Sequence, residues 1–505
     1  MFLRKLVVSI LALSVICSLA AGCSGEIDTA SSKKTTAEQS NTSSLSSEGL
    51  IENSDSATSE VSTLEVSTLS PDIISSTASK SGSNITSSTR PAAAPGNNTN
   101  MQGYEFVLGT IWGGSWIPSD NSDAKVKALS SIYKQIENEL NCKITLKALT
   151  PSTLVTQVTK AYQAGAKFAD AVELSPYYFN SLVKSNFFIP VSDSKQININ
   201  DKKWISSAKS FSTFNGKVYG LSWTTDVITS SARGGIYFNK TLAAQFGIED
   251  LYKTVKDKKW TFSKLEEVLN TVSDKSGGKI KGLGGYDLPS MAQSYANANG
   301  GGFISENKGK YSFIGASNES VVGIEFLRKL YQNNHIRDTG KDNFINTVVK
   351  EFVDGKLFML HADYYYSNRY FKSKMKDDYG FLPLPMGPNA KQYYGIYGES
   401  RFFTLMDSAD RDKCATIFNK LSDKTLMSDW KSHALKNDFR DAESVDMVEI
   451  NMNNPKIDML GTLDLKAEIV FAALDKSVRQ GSTAGNMSSI VSASQKWLDD
   501  FYQQK

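Results

Sequence analysis

Cysteine is scarce in this chain of 505 residues, with Cys17 and Cys23 near the start and Cys142 and Cys414 in the remainder. So few thiols exclude a disulfide framework, and without a C-x-x-C or Cys/His cluster a structural zinc site is disfavoured. Histidine is scarcer still: His335, His361 and His433 stand at no ligand spacing. The carboxylates form no EF-hand pattern, so no metal is expected. There is no Lys/Arg-rich block and no zinc-finger or RNA-recognition signature, which argues against nucleic acid as a partner. A G-x-S-x-G elbow, a P-loop and a G-x-G-x-x-G opening a helix after a strand are all missing, so hydrolase, NTPase and dinucleotide readings lack a motif and no cofactor is expected. Beyond residue 23 no segment is apolar enough to span a bilayer.

What is present is unevenly spread. Residues 24–100 hold no Phe, Trp or Tyr and are roughly two-fifths Ser plus Thr. Such a segment cannot offset its ordering entropy, so residues 24–103 are expected to form a disordered tether. As a flexible coil its first 77 residues would span roughly 50 Å root-mean-square. Ahead of it, Arg4 and Lys5 precede an apolar run over residues 6–21 broken only by Ser9, Ser14 and Ser18. The run is shorter than the ~20 residues of a spanning helix. It ends in Leu19-Ala20-Ala21-Gly22-Cys23, which resembles a bacterial lipobox closing a signal peptide over residues 1–23. The resemblance implies cleavage before Cys23, a diacylglycerol on its sulfur and acylation, palmitate included, of the new amino terminus. Each buried acyl CH₂ contributes ~0.8 kcal/mol, so two or three chains would hold the protein on the outer face of the cell membrane. The commonest pattern has Leu three positions before the cysteine, where Ala20 stands here. A plain secretory leader cut at Ala-x-Ala-like residues, with Cys23 incidental, is the alternative.

The overall charge is +3, but the leader holds two basic residues and residues 24–100 hold four basic against nine acidic, leaving about +6 for the rest. That remainder carries nearly all the aromatic residues and can bury a large core. Residues 104–112 read as a strand, and Ser122 or Asp123 can cap a helix whose Val126, Leu129, Tyr133, Ile136 and Leu140 recur at near-helical spacing. Ile144, Leu146 and Ala148 alternate as a strand, residues 151–153 open a helix through Val155, Val158 and Tyr162, and residues 169–174 read as a third strand. Alternating strands and helices predict an α/β fold with a largely parallel sheet, its ligand crevice beyond the carboxyl ends of the strands. The loops 113–120 and 175–178 therefore carry candidate ligand contacts. Further on, Asn215-Gly216 reads as a turn before a strand reaching Trp223, and residues 235–240 as another strand. Gly247 ends a helix over 242–246, and Ser263 with Glu266 forms a capping box before the stripe Leu265, Val268, Leu269 and Val272.

These segments together resemble the family-1 extracellular solute-binding proteins, the lipid-anchored receptors of ABC sugar importers that include the maltodextrin-binding proteins. The matching stretches are the lipobox, "NGKVYGL" at 215–221, "IYFNKTL" at 236–242, residues 260–269, Gly300-Gly301-Gly302, the helix over 321–331, "FVDGKLFMLHA" at 352–362 and "YGFLPLPMG" at 379–387. Each is weak alone; in this order they cover most of residues 104–505. The resemblance implies a two-lobe, type II periplasmic-binding-protein-like fold with the ligand in a cleft between lobes. It assigns residues 104–221 and 399–440 to one lobe, 228–384 and 441–505 to the other, and 222–227 and 385–398 to hinge crossings. A third crossing would fall within 429–443.

A pyranose presents apolar C–H faces and a fringe of hydroxyls, so sugar sites pair aromatic rings with Asp, Glu, Asn and Arg. On this basis the candidate ligand contacts are Trp112 and Trp116 on the first crevice loop, Trp223 and Asp226 at the first crossing, and Asp363 and Tyr364 after a strand. Tyr364 falls where the maltodextrin binders have a stacking tryptophan. Glu173, Tyr295, Glu399 and Arg401 lie at strand or crossing ends, and Trp430 lies beside the third crossing. Each has a packing alternative: Trp112 ends a strand, and Trp430 could as readily pack a helix.

The expected function is a monomeric carbohydrate receptor, best suited to an oligosaccharide, that delivers its ligand to the transmembrane subunits of an ABC permease and performs no catalysis. A glycoside hydrolase and a surface sensor or adhesion protein without a permease are the competing readings. Ser131-Ile132-Tyr133-Lys134 matches S-x-x-K and Ser119-Asp120-Asn121 matches S-D-N, but their order is reversed, no K-T-G follows, and Ser131 lies within the amphipathic helix.

Overall fold

The computed structural model describes residues 100–122, 124–223, 234–307, 309–397, 400–407, 410–460 and 467–502. The leader, Cys23 and residues 24–99 of the expected tether lie outside the described residues, as do Asp226 and Glu399, while residues 100–103 are described and Met101 is buried in the core of the first sheet. Among the described residues no helix is long and apolar enough to cross a membrane.

Apolar and β-branched runs supply the strands. Apart from two small hairpins, they are β1 (Tyr104–Thr110), β2 (Cys142–Ala148), β3 (Ala171–Leu174), β4 (Phe188–Ile189), β5 (Gly220–Leu221), β6 (Gly235–Asn239), β7 (Lys281–Gly284), β8 (Ile336–Arg337), β9 (Leu357–Ala362), β10 (Tyr379–Leu382), β11 (Gly395–Tyr397), β12 (Phe402–Met406) and β13 (Pro455–Ile457). The first sheet has the order β2-β1-β3-β12-β4, with β5 also on β12. Its β2, β1 and β3 are parallel, as expected, but β12 runs antiparallel to β3, β4 and β5. The second sheet, β8-β7-β9-β6-β10, repeats the mixture: β7 is parallel to β8 and β9, while β6 is antiparallel to β9 and β10. The antiparallel members β6 and β12 are the strands that follow a crossing, which is why a reading of the strand-helix alternation alone misses them.

The helical stripes fall where periodicity puts them. The helix Ala124–Leu140 buries Val126, Leu129, Tyr133, Ile136 and Leu140 against the first sheet, where they join Phe106, Leu108, Phe403 and Phe418. In the second lobe the helix Phe262–Ser276 buries Leu265, Val268, Leu269 and Val272. Its cap is Thr261, whose side chain accepts from the Lys264 amide, so the expected Ser263 box is displaced by two residues. The bridge of Thr261 to Met386 holds that residue extended just ahead of the first turn. Asn215 and Gly216 have φ of 49° and 74° between the paired strands Thr213–Phe214 and Lys217–Val218. Two successive positive φ values give the hairpin turn that Asn-Gly favours.

Two helices flank the start of the expected third crossing. The helix Arg411–Thr425 lies beside the helix Ala124–Leu140, and its Lys420 and Lys424 pair with Glu139. The next helix, Trp430–Asn437, is held from the other side of that crossing, the Lys372 ammonium donating to the carbonyls of Leu435, Lys436 and Phe439. β11, at the end of the expected second crossing, lies parallel to β13 with Ile396 opposite Lys456.

Candidate binding site

The carboxyl edge of the first sheet brings three candidates together, Trp112, Glu173 and Arg401. Thr110 ends β1 opposite Glu173 of β3, and its hydroxyl donates to Glu173 Oε2 at 2.6 Å. The Trp112 amide donates back to Thr110 Oγ1 at 2.9 Å, fixing the chain as it leaves the strand. Phe402 of β12 pairs with Leu174, which sets Arg401 at the same edge. There the Arg401 guanidinium carbon lies 4.2 Å from the centroid of the Trp112 ring, and both side chains are half-buried. Glu173 is buried, and its charge adds to burial in raising the Tyr133 phenol above its ordinary range.

Trp116 and Trp223 are not on that edge. Residues Gly113–Trp116 form a single helical turn that swings the indole back under the sheet, 5.0 Å edge-on to Phe403, and Tyr133 donates to the Trp116 carbonyl. Trp223 follows β5 into the same core, stacks on Phe403 at 5.3 Å and donates from its ring nitrogen to Thr425 Oγ1. Both indoles are spent on packing, at 6% and 1% exposure, which corrects the expectation that they face a ligand.

In the second lobe, β9 ends at Ala362, paired with Gly235, the first residue of β6 after the crossing. A side chain at Gly235 would collide with Phe381 and the Leu382 carbonyl, so glycine is required where the chain comes in between its neighbours. The edge beyond β9 thus lies beside the crossing, as Arg401 does in the first lobe. It carries Asp363, half-buried, whose carbonyl accepts from the Tyr237 hydroxyl at 3.1 Å. Tyr364 is not displayed there: its ring packs 4.8 Å from Phe381 and its hydroxyl accepts from Asn451 at 2.7 Å. Half-exposed instead are Tyr365, Tyr370 and Tyr286, with Arg369 lying 5.2 Å from the Tyr365 ring centroid. Tyr286 contacts Phe344 at 4.5 Å, and Tyr366 stacks on Tyr370 at 5.4 Å.

Two further candidates are packing residues. Tyr295 is fully buried between Phe262 and Phe326. Trp430 opens the helix Trp430–Asn437 and packs against the second-lobe core. Sequence reasoning did not single out Tyr365, Tyr370 and Tyr286, which the structure leaves half-buried near this edge. The "YYY" run was the available signal, and of its members Tyr364 and Tyr366 are buried while Tyr365 is only half-buried.

Two mixed sheets, each with its carboxyl edge at the crossings, define the class: this is a two-lobe binding fold of the type II periplasmic kind. Residues 104–416 match the family described as bacterial extracellular solute-binding protein, and the chain belongs to that family. Among curated protein sequences nothing matches it. Among solved structures it is similar to the sugar-binding protein MalE from Xanthomonas citri, at 13% identity and a TM-score of 0.59 over 79% of this chain and 100% of that one. It is similar to the same degree, with the same shares covered, to the cyclic alpha-maltosyl-1,6-maltose binding protein from Arthrobacter globiformis. UgpB from Mycobacterium tuberculosis, in complex with glycerophosphocholine, has 14% identity and a TM-score of 0.54 over 79% of this chain and 98% of that one. At these identities the likeness is one of fold.

Proposed function

We propose that this chain is the receptor of an ABC importer for an oligosaccharide, which it binds between the carboxyl edges of its two sheets. The single observation carrying the reading is that each edge offers a half-exposed aromatic ring beside polar groups: Trp112 with Arg401 on one, Tyr365 with Asp363 on the other. Rings of this kind suit the C–H faces of a sugar, and the neighbouring charges suit its hydroxyls. Family membership supports the importer role, and the sugar ligands named for two of the similar structures support a carbohydrate over other solutes. Contacts from both lobes favour a closed form, and it is this differential affinity that shifts the population. Cys23 bears the lipid anchor, the tether holds a monomeric receptor clear of the outer face of the membrane, and the permease subunits take the ligand without chemical change.

A thermal-shift screen of the full chain against mono- and oligosaccharides tests this. At least one oligosaccharide is expected to raise the melting temperature and to be recovered intact, and Trp112→Ala is expected to weaken that shift while leaving the unliganded protein folded. No shift with any sugar would remove the carbohydrate reading, and recovery of cleaved sugar would turn it into a glycoside hydrolase.

A further inference from the structure

Seven arginines lie among the described residues, and six direct guanidinium N–H groups at acceptors. Arg337, Arg411 and Arg479 hold carboxylates; Arg328 and Arg440 hold backbone carbonyls; Arg369 donates to the Tyr365 hydroxyl. Arg401 differs. Its guanidinium makes no hydrogen bond and no ion pair among the described residues, and it lies against the face of Trp112. Glu173, the buried carboxylate on that edge, is engaged by Thr110. A fork of five donors backed by an indole matches a carboxylate or sulfate bidentately, whereas an ammonium would not.

Resting on the carbohydrate reading above, we infer that the ligand is an acidic oligosaccharide whose carboxylate or sulfate group is taken by Arg401 against Trp112. In the open form water satisfies the guanidinium. When the lobes close, water is excluded and an unpaired cation carries a desolvation cost that a neutral sugar offsets poorly and an anion offsets directly. The indole adds a cation-π attraction that holds the fork in place before the ligand arrives. Across the site, Arg369 sits exposed against Tyr365 and Tyr370 with no ion pair among the described residues, a second cation with aromatic backing. Asp363 on the same edge remains suited to hydroxyls.

Calorimetric titration of the full chain with matched pairs tests this: tetragalacturonate beside its methyl ester, and a sulfated heparin tetrasaccharide beside its desulfated form, with maltotetraose as a neutral reference. The acidic member of at least one pair is expected to bind roughly tenfold or more tighter than its neutral twin, the preference weakening with added salt, and the pair that discriminates identifies the anion. Arg401→Gln is expected to abolish the preference, and Arg401→Lys to retain part of it, with the melting temperature of the unliganded protein unchanged as the control for folding. The inference fails, and the carbohydrate reading stands, if neutral members bind as well as acidic ones, or if Arg401→Gln changes acidic and neutral binding alike. It fails in the same way if Arg401→Gln strengthens neutral binding, which would make the arginine a cover over Trp112. If no saccharide of either charge binds, both readings fall together.

Discussion

Trp112 and Trp116 stand four residues apart, both beyond the carboxyl end of β1, and they have opposite fates. Trp112 leaves the strand with its amide tied to Thr110 and keeps a ring at the edge of the sheet beneath Arg401. Trp116, one helical turn later, is turned inward against Phe403 and Trp223. The second lobe repeats the lesson with adjacent residues, Tyr364 going into the core and Tyr365 to the edge. Whether an aromatic residue serves packing or display is decided by the first turn after the strand.

The contrast is sharpest in stability. Trp223→Ala removes a ring stacked on Phe403 together with the hydrogen bond to Thr425, and is expected to cost about 3–5 kcal/mol in urea unfolding. Trp112→Ala is expected to cost under about 1 kcal/mol, since the ring is only half-buried and loses a single cation-π contact. Equal costs for the two would break the division between core and edge. A smaller effect separates the tyrosines. Tyr364→Phe leaves the buried Asn451 amide only its longer bond, to the Gly234 carbonyl at 3.4 Å, and is expected to cost about 1–3 kcal/mol, whereas Tyr365→Phe should be nearly neutral by the same measurement.

Two titrating groups extend the comparison to weaker effects. Burial holds the His335 imidazole below its ordinary pKa, against the opposing charges of Glu266 and Asp274. The folded state therefore binds fewer protons than the unfolded chain near and below about pH 6.5, and stability falls as pH drops through that range. His335→Gln is expected to flatten the decline in melting temperature between about pH 7.5 and 5.5; an unchanged slope would assign the decline to other groups. At Cys142, half-buried at the start of β2, burial and then the charge of Glu137 push the thiol up to about 11. Alkylation of the native protein near neutral pH, followed by peptide mass, should find it far slower to react than a free small thiol.

Much of the architecture was legible in the residues. The stripe from Val126 to Leu140 and the one from Leu265 to Val272 are buried as their spacing requires, and Gly247 takes the left-handed conformation that ends its helix. Of the candidate contacts, Trp112, Glu173 and Arg401 stand at the carboxyl edge of the first sheet and Asp363 at that of the second. Trp116, Trp223, Tyr295 and Tyr364 were singled out too and are core. The alternation that selected Tyr364 ends with β9 at Ala362, and the chain then begins to coil towards the helical turn Ser367–Phe371, so the period of two no longer tells in from out.

Local pattern by itself determined the order of strands and helices, the Asn215-Gly216 turn, the long tract without aromatic residues and the family to which the chain belongs, because each depends on neighbours a few residues apart. Tertiary structure alone decided which rings are shown and which are hidden. It set β12 antiparallel beside β3, so that Arg401 meets Trp112 across nearly 290 positions of sequence. Pairing at that range is selected by the packing of whole sheets, and a residue's own neighbourhood carries no record of it.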